Sequence, residues 1–123
     1  MKPGATGVKR LFNATRYSIS GFKAAWQHEA AFRQELILGI VLVPAAFFIT
    51  DSIPQTLLLI FSTVLVIIVE LINSAIEAAV DRIGNEIHEL AGRAKDIGSA
   101  AVFLSLANMF FLYTVTLISF LTE

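Results

Sequence analysis

ELINSAIEAAVDR, residues 70–82, follows directly on an apolar run, Ser52 to Val69, that carries no charge. A helix through both segments passes from lipid-like sequence into two glutamates, an asparagine and an aspartate. The fold turns on whether that transition belongs to a soluble core or to a membrane span. Composition favours the membrane: of 123 residues, 56% are hydrophobic and 15% charged, with a mean hydropathy of +0.74. Soluble domains carry about a quarter charged residues, and a soluble core of this size cannot enclose three long apolar runs.

The other two runs flank this one. Residues 36–50, LILGIVLVPAAFFIT, are uncharged between Glu35 and Asp51 and extend back through Ala30, Ala31 and Phe32. With Arg33, Gln34 and Glu35 at its interfacial end, the run reaches the roughly 17–25 residues that a span needs. Pro44 removes one backbone hydrogen bond, so a local kink is expected there. Asp51-Ser52-Ile53-Pro54 reads as a tight turn, with proline suited to the first turn of the next helix. The second span then runs past Glu70, and Ile97 to Leu121, free of charge, forms a third. The expected fold is all-α, one membrane domain over residues 1–123 with transmembrane helices at about 30–50, 53–82 and 92–121.

The segment before Ala30 differs in kind. On a helical wheel Val8, Leu11, Phe12, Ile19, Phe22 and Trp26 fall within about 100° of each other, with Lys9, Arg16 and Lys23 along one edge. This pattern predicts an amphipathic helix over about residues 5–28, lying in the interface plane with its basic side chains reaching to the headgroups. All nine basic residues lie at positions 2–33 or 82–95. The positive-inside rule therefore places the N-terminus and the loop between spans two and three in the cytoplasm, and the C-terminus outside. Trp26 and Tyr113 read as belt residues at the membrane surfaces. With a net charge of −1 there is no basic excess for nucleic acid, and with no cysteine there is no thiolate chemistry.

Glu70, Asn73, Glu77 and Asp81 are spaced 3, 4 and 4 and share one helix face, with Ser74 at its edge. Leu71, Ile72, Ala75, Ile76, Ala79 and Ile83 cover the rest, so the stripe points at protein, water or ligand. An unpaired carboxylate in a span costs several kcal/mol, which makes such a residue a functional candidate. Glu29, Arg33, Gln34 and Glu35 place a second cluster at the same membrane level. Carboxylates without cysteine or a histidine cluster suit a hard cation such as Mg²⁺, which bridges one or two carboxylates to phosphates. No standard nucleotide motif is present, and His88-Glu89-Leu90-Ala91-Gly92 lacks the second histidine of a zinc helix. The loop NEIHELAGRAKD offers Lys95, Arg93, Glu86 and Asp96 to a phosphate site, and equally reads as a solvated turn. A small oligomeric channel with an acidic ring is the non-enzymatic alternative.

The segments AAWQHEAAF (24–32), RQE (33–35) and VELINSAIEAAVDRIGNEIHELAGRAKDIGSAAV (69–102) resemble the small, membrane-embedded bacterial diacylglycerol kinase family, and the likeness runs from about Gly7 into the third span. The resemblance implies a homotrimer of the bacterial inner membrane, with sites shared between subunits. It implies transfer of the γ-phosphoryl group of MgATP to the hydroxyl of diacylglycerol; Gram-positive relatives phosphorylate undecaprenol instead. By the resemblance Glu70 is the general base, Asn73 its catalytic partner, and Glu29 and Glu77 are the metal-bridging carboxylates. Arg10, Tyr17, Glu86, Ile87, His88, Lys95 and Asp96 join Glu29 and Glu77 around the nucleotide. The lipid is met by Ala14, Ser18, Trp26, Ala31, Phe32, Arg33, Gln34, Glu35 and Ser99, together with Arg10, Tyr17 and Glu70. Leu36 to Gln55 match the family only in hydrophobicity, and Tyr113 stands where an interfacial tryptophan is common.

Overall fold

Local signals set the ends of each element. The computed structural model describes residues 6–84 and 88–123, and among these every regular element is an α-helix: α1 (Gly7–His28), α2 (Ala30–Ile49), α3 (Ile53–Ile83) and α4 (Glu89–Thr122). A single extended residue, Glu29, separates α1 from α2. Its N–H still bonds Ala25 O at 2.9 Å, closing α1, while its carbonyl accepts from Arg33 N at 3.2 Å, opening α2. The Arg33 guanidinium Nη1 donates to Trp26 O at 2.6 Å and fastens the corner.

The α2–α3 turn behaves as its residues require. Ser52 caps α3, its Oγ accepting from Gln55 N at 3.4 Å, and Pro54 sits in the first turn, where its missing N–H has no intrahelical partner to lose. Thr50 Oγ1 donates to Gln55 Oε1 at 2.8 Å and accepts from Ser52 N at 3.1 Å. Helix α2 continues unbroken through Pro44. At the other end of α3, His88 caps α4, with Nδ1 accepting from Leu90 N at 3.0 Å.

Helices α2, α3 and α4 are each long and apolar enough to cross a membrane. At 1.5 Å per residue α2 is about 30 Å long, the thickness of the hydrocarbon. By the same measure α3 and α4, of 31 and 34 residues, overshoot it by about 15–20 Å. That excess lies at the end carrying Arg82, Arg93 and Lys95. At most 33% of any span's most apolar window is buried within the chain, so most of the apolar surface of the spans is left uncovered by the chain itself.

Where α3 packs between α2 and α4, the core is Ala46, Leu59, Val66, Met109 and Tyr113, flanked by Leu38, Leu42 and Leu106. Tyr113 corrects its expected place in an interfacial belt. It is 7% exposed, its hydroxyl 2.8 Å from Thr63 Oγ1 and donating to Leu42 O at 3.3 Å. A phenol held inside hydrocarbon needs a partner for its O–H, and one residue here joins all three spans.

Candidate active site

The same seam of α3 that packs the core carries the polar stripe. Thr56, Leu59, Thr63, Val66, Glu70 and Asn73 are all buried and alternate by three and four residues, so they stack on one face. Toward the basic end this face exchanges apolar groups for polar ones. Glu70 is 3% exposed and Asn73 8%.

Around Glu70 the groups converge from two directions. From α2, Glu35 brings its carboxyl within hydrogen-bonding reach of Glu70, and its Oε2 is buried with no partner among the described residues. Along α3, Asn73 stands one turn beyond Glu70, and its Nδ2 donates to Glu77 Oε1 at 3.3 Å. Asn73 Oδ1 is buried and unpartnered among the described residues. Glu29 and Glu77 are the other acids close enough for their charges to act on Glu70. The corner at Glu29 therefore places a half-buried carboxylate beside the stripe.

Among the described residues no three acids or histidines stand close enough to cage a metal ion. Glu29 and Glu77 are oxygen donors on different elements, and one or two such carboxylates are the donor chemistry of a cation that usually keeps several waters and takes its remaining ligands from phosphates. The donor set is all oxygen, which suits a hard divalent ion and not zinc.

The residues expected at the nucleotide are divided by the fold. Lys95 Nζ is 2.6 Å from Asp81 Oδ1, tying the start of α4 to the end of the α3 stripe, and Asp96 is exposed beside it. His88 has its Nδ1 engaged in capping α4. Arg10 and Tyr17 lie on α1, where the Arg16 guanidinium stands 5.6 Å over the Tyr17 ring. Among the described residues no hydrogen bond or ion pair joins α1 to α4. Glu86 and Ile87 lie outside the described residues.

The residues expected at the lipid divide differently. A groove of about 570 Å³ runs between α1 and α3, with Ser18, Phe22, Ala25 and Glu29 on one side and Leu71, Ser74 and Ala78 on the other. A second, of about 360 Å³, lies between Trp26 on α1 and Phe32, Leu36 and Ile67 below it. Ser18 and Trp26 thus border apolar clefts, and nearly buried Phe32 forms a floor. Ser18 Oγ donates to Ala14 O at 2.9 Å. Ala31, Gln34 and Ser99 are exposed outside both clefts. Two contacts escaped the sequence reading: Glu35 against Glu70, and Gly98 of α4 against Asn73. Only the glycine in GSAA hinted at the second, since a glycine inside a helix often marks a close approach.

Three helices long and apolar enough to cross a membrane, with a carboxylate cluster buried toward the end that carries Arg82, Arg93 and Lys95, define a small integral membrane protein with a polar site inside its helix bundle. A family model described as prokaryotic diacylglycerol kinase matches residues 16–117, and the chain belongs to that family. It is similar to proteins named diacylglycerol kinase from three bacteria. The Haemophilus influenzae protein is 50% identical over 101 residues, covering 82% of this chain and 86% of that one. The Pseudomonas aeruginosa protein is 53% identical over 103 residues, 84% of each chain. The Escherichia coli K12 protein is 51% identical over 106 residues, 86% of this chain and 87% of that one. Membership of a kinase family sets the channel reading aside and implies ATP as co-substrate.

Proposed function

We propose that this chain moves the γ-phosphoryl group of ATP to the free hydroxyl of diacylglycerol, giving phosphatidic acid at the cytoplasmic face of the bacterial inner membrane. The observation that carries the reading is Glu70: a carboxylate 3% exposed at the polar end of a span, with Asn73 and Glu35 as its neighbours, in a chain of this family. Glu70 takes the hydroxyl proton as the new oxygen–phosphorus bond forms and the bond to the departing ADP breaks. Asn73 holds the Glu77 carboxylate through its amide N–H. Glu29 and Glu77 hold Mg²⁺, which when bound neutralises charge on the phosphates. Arg10, Tyr17, His88, Lys95 and Asp96, with Glu86 and Ile87, surround the nucleotide. Helix α1 lies in the interface plane, and the clefts beneath it admit acyl chains beside Ser18 and Trp26.

The working unit is a homotrimer with sites completed between subunits. Two features support it: the spans are largely uncovered within one chain, and among the described residues the nucleotide candidates on α1 and α4 share no hydrogen bond or ion pair. Purified protein in mixed micelles, given radiolabelled MgATP with diacylglycerol or undecaprenol in parallel, tests the reading. Label is expected in phosphatidic acid. Label in undecaprenyl phosphate alone reassigns the lipid, and label in neither refutes the kinase.

A further inference from the structure

Gly98 lies on the buried face of α4, opposite Asn73. A Cβ added there would overlap Asn73 Oδ1 and stand 3.3 Å from its Cγ. Gly7, Gly21 and Gly92 would meet nothing within 4 Å, and Gly39 would meet only the Thr63 methyl at 3.2 Å. Gly98 is therefore unlike these others, because what occupies its missing side chain's space is the head of a residue in the carboxylate cluster.

Asn73 has little freedom to withdraw. It is 8% exposed, its Nδ2 is committed to Glu77 Oε1 at 3.3 Å, and its Oδ1 faces α4 without a partner among the described residues. Helix α4 is also held in place, because α3 and α4 form the most extensive helix pairing of the described chain. Helix propensity argues against glycine at an interior position, where alanine is the better helix former. Some other requirement holds it there.

We propose that Gly98 is a positioning residue for the site: the gap it leaves lets the Asn73 carboxamide lie flat against α4, which keeps the amide N–H aimed at the Glu77 carboxylate. A side chain at 98 turns that amide away, so Glu77 loses the donor that orients it toward the metal. The inference rests on the proposed function only for the tasks of Asn73 and Glu77; the contact itself stands on the geometry.

The test compares wild type, Gly98→Ala, Asn73→Ala and the double variant in detergent micelles. In the double variant the two β-carbons would stand 4.0 Å apart, an ordinary contact. Gly98→Ala in the wild-type background should lower turnover by about 10-fold or more and raise half-saturating Mg²⁺ several-fold, with KM for lipid within about 2-fold. Its thermal midpoint should fall in the wild-type background and hold or rise in the Asn73→Ala background, because only the first contains the overlap. Wild-type turnover and Mg²⁺ dependence in Gly98→Ala overturn the inference. So does an equal loss of stability in both backgrounds, which would mark a purely structural glycine. If Gly98→Ala yields no folded protein, the double variant must recover it, and failure of both has the same force. Asn73→Ala with full turnover would instead remove Asn73 from the proposed machinery, while the stability comparison still decides the contact.

Discussion

Tyr113→Phe removes one hydroxyl from the middle of the bundle and leaves the ring in place. The structure bounds the loss. The Tyr113 oxygen has two partners, Thr63 Oγ1 at 2.8 Å and Leu42 O at 3.3 Å, and Thr63 Oγ1 also lies 2.9 Å from Leu59 O. Two hydroxyl protons serve these three contacts, so at most two are hydrogen bonds at any moment. After the substitution Thr63 keeps Leu59 O as its acceptor, and no donor is orphaned. Interhelical hydrogen bonds in membranes average about 0.6 kcal/mol and reach about 1.7, so a loss of about 1 kcal/mol, roughly fivefold in the unfolding equilibrium, is expected. Turnover should not change, because Thr63 lies seven residues, about 10 Å of helix rise, from Glu70. Denaturation with sodium dodecyl sulfate from mild detergent, followed by circular dichroism, measures the first quantity. A cycle with Thr63→Val isolates the pair. Wild-type stability in Tyr113→Phe, with no coupling to Thr63, would return Tyr113 to a belt role and refute the three-helix tie.

Glu70→Gln keeps the shape and gives Glu35 an amide donor; turnover should fall by about 100-fold or more while thermal stability holds or rises, and near-normal turnover would remove Glu70 as the base. Glu29→Gln and Glu77→Gln should each raise the Mg²⁺ and ATP needed for half-maximal rate, with KM for lipid changing by less than about 3-fold; metal titrations identical to wild type in both would take them out of the metal site. Glu70 and Glu77 share one helix face within a chain, whereas the nucleotide candidates Arg10 and Lys95 lie on α1 and α4; mixing impaired Arg10→Ala subunits with impaired Lys95→Ala subunits should therefore restore part of the activity if sites are completed across chains. No recovery, with mixed oligomers verified by tag pull-down, would place both residues of a site on one chain.

What was legible in the sequence is what depends on position along a helix. Uncharged runs locate the three spans, Ser52 and Pro54 locate the start of α3, and the 3-4-4 spacing puts Glu70, Asn73, Glu77 and Asp81 on one face. What stayed hidden depends on how helices rotate against each other, which periodicity within one helix does not encode. The sequence puts Glu35 level with Glu70, yet its approach to Glu70 needs the facing of α2 toward α3. The same holds for Tyr113, which reads as a belt residue from its depth along α4 because the sequence does not carry the rotation that turns it toward Thr63. The overlap awaiting a side chain at Gly98 is likewise a property of two helices together.

The shared seam on α3 has a mechanical consequence. Because Thr63, Val66, Glu70 and Asn73 stand in one repeat, the phase that packs the bundle is also the phase that aims Glu70. Inserting a single residue between Val66 and Glu70 would turn every group beyond it by about 100° and advance it by about 1.5 Å. The packed half could stay seated while the carboxylates swung toward lipid, or the carboxylates could stay while the packed half unseated. Neither half has a register of its own, so sequence change in this stretch is confined to substitution, and loop-like tolerance of added or lost residues begins only beyond the ends of the helix.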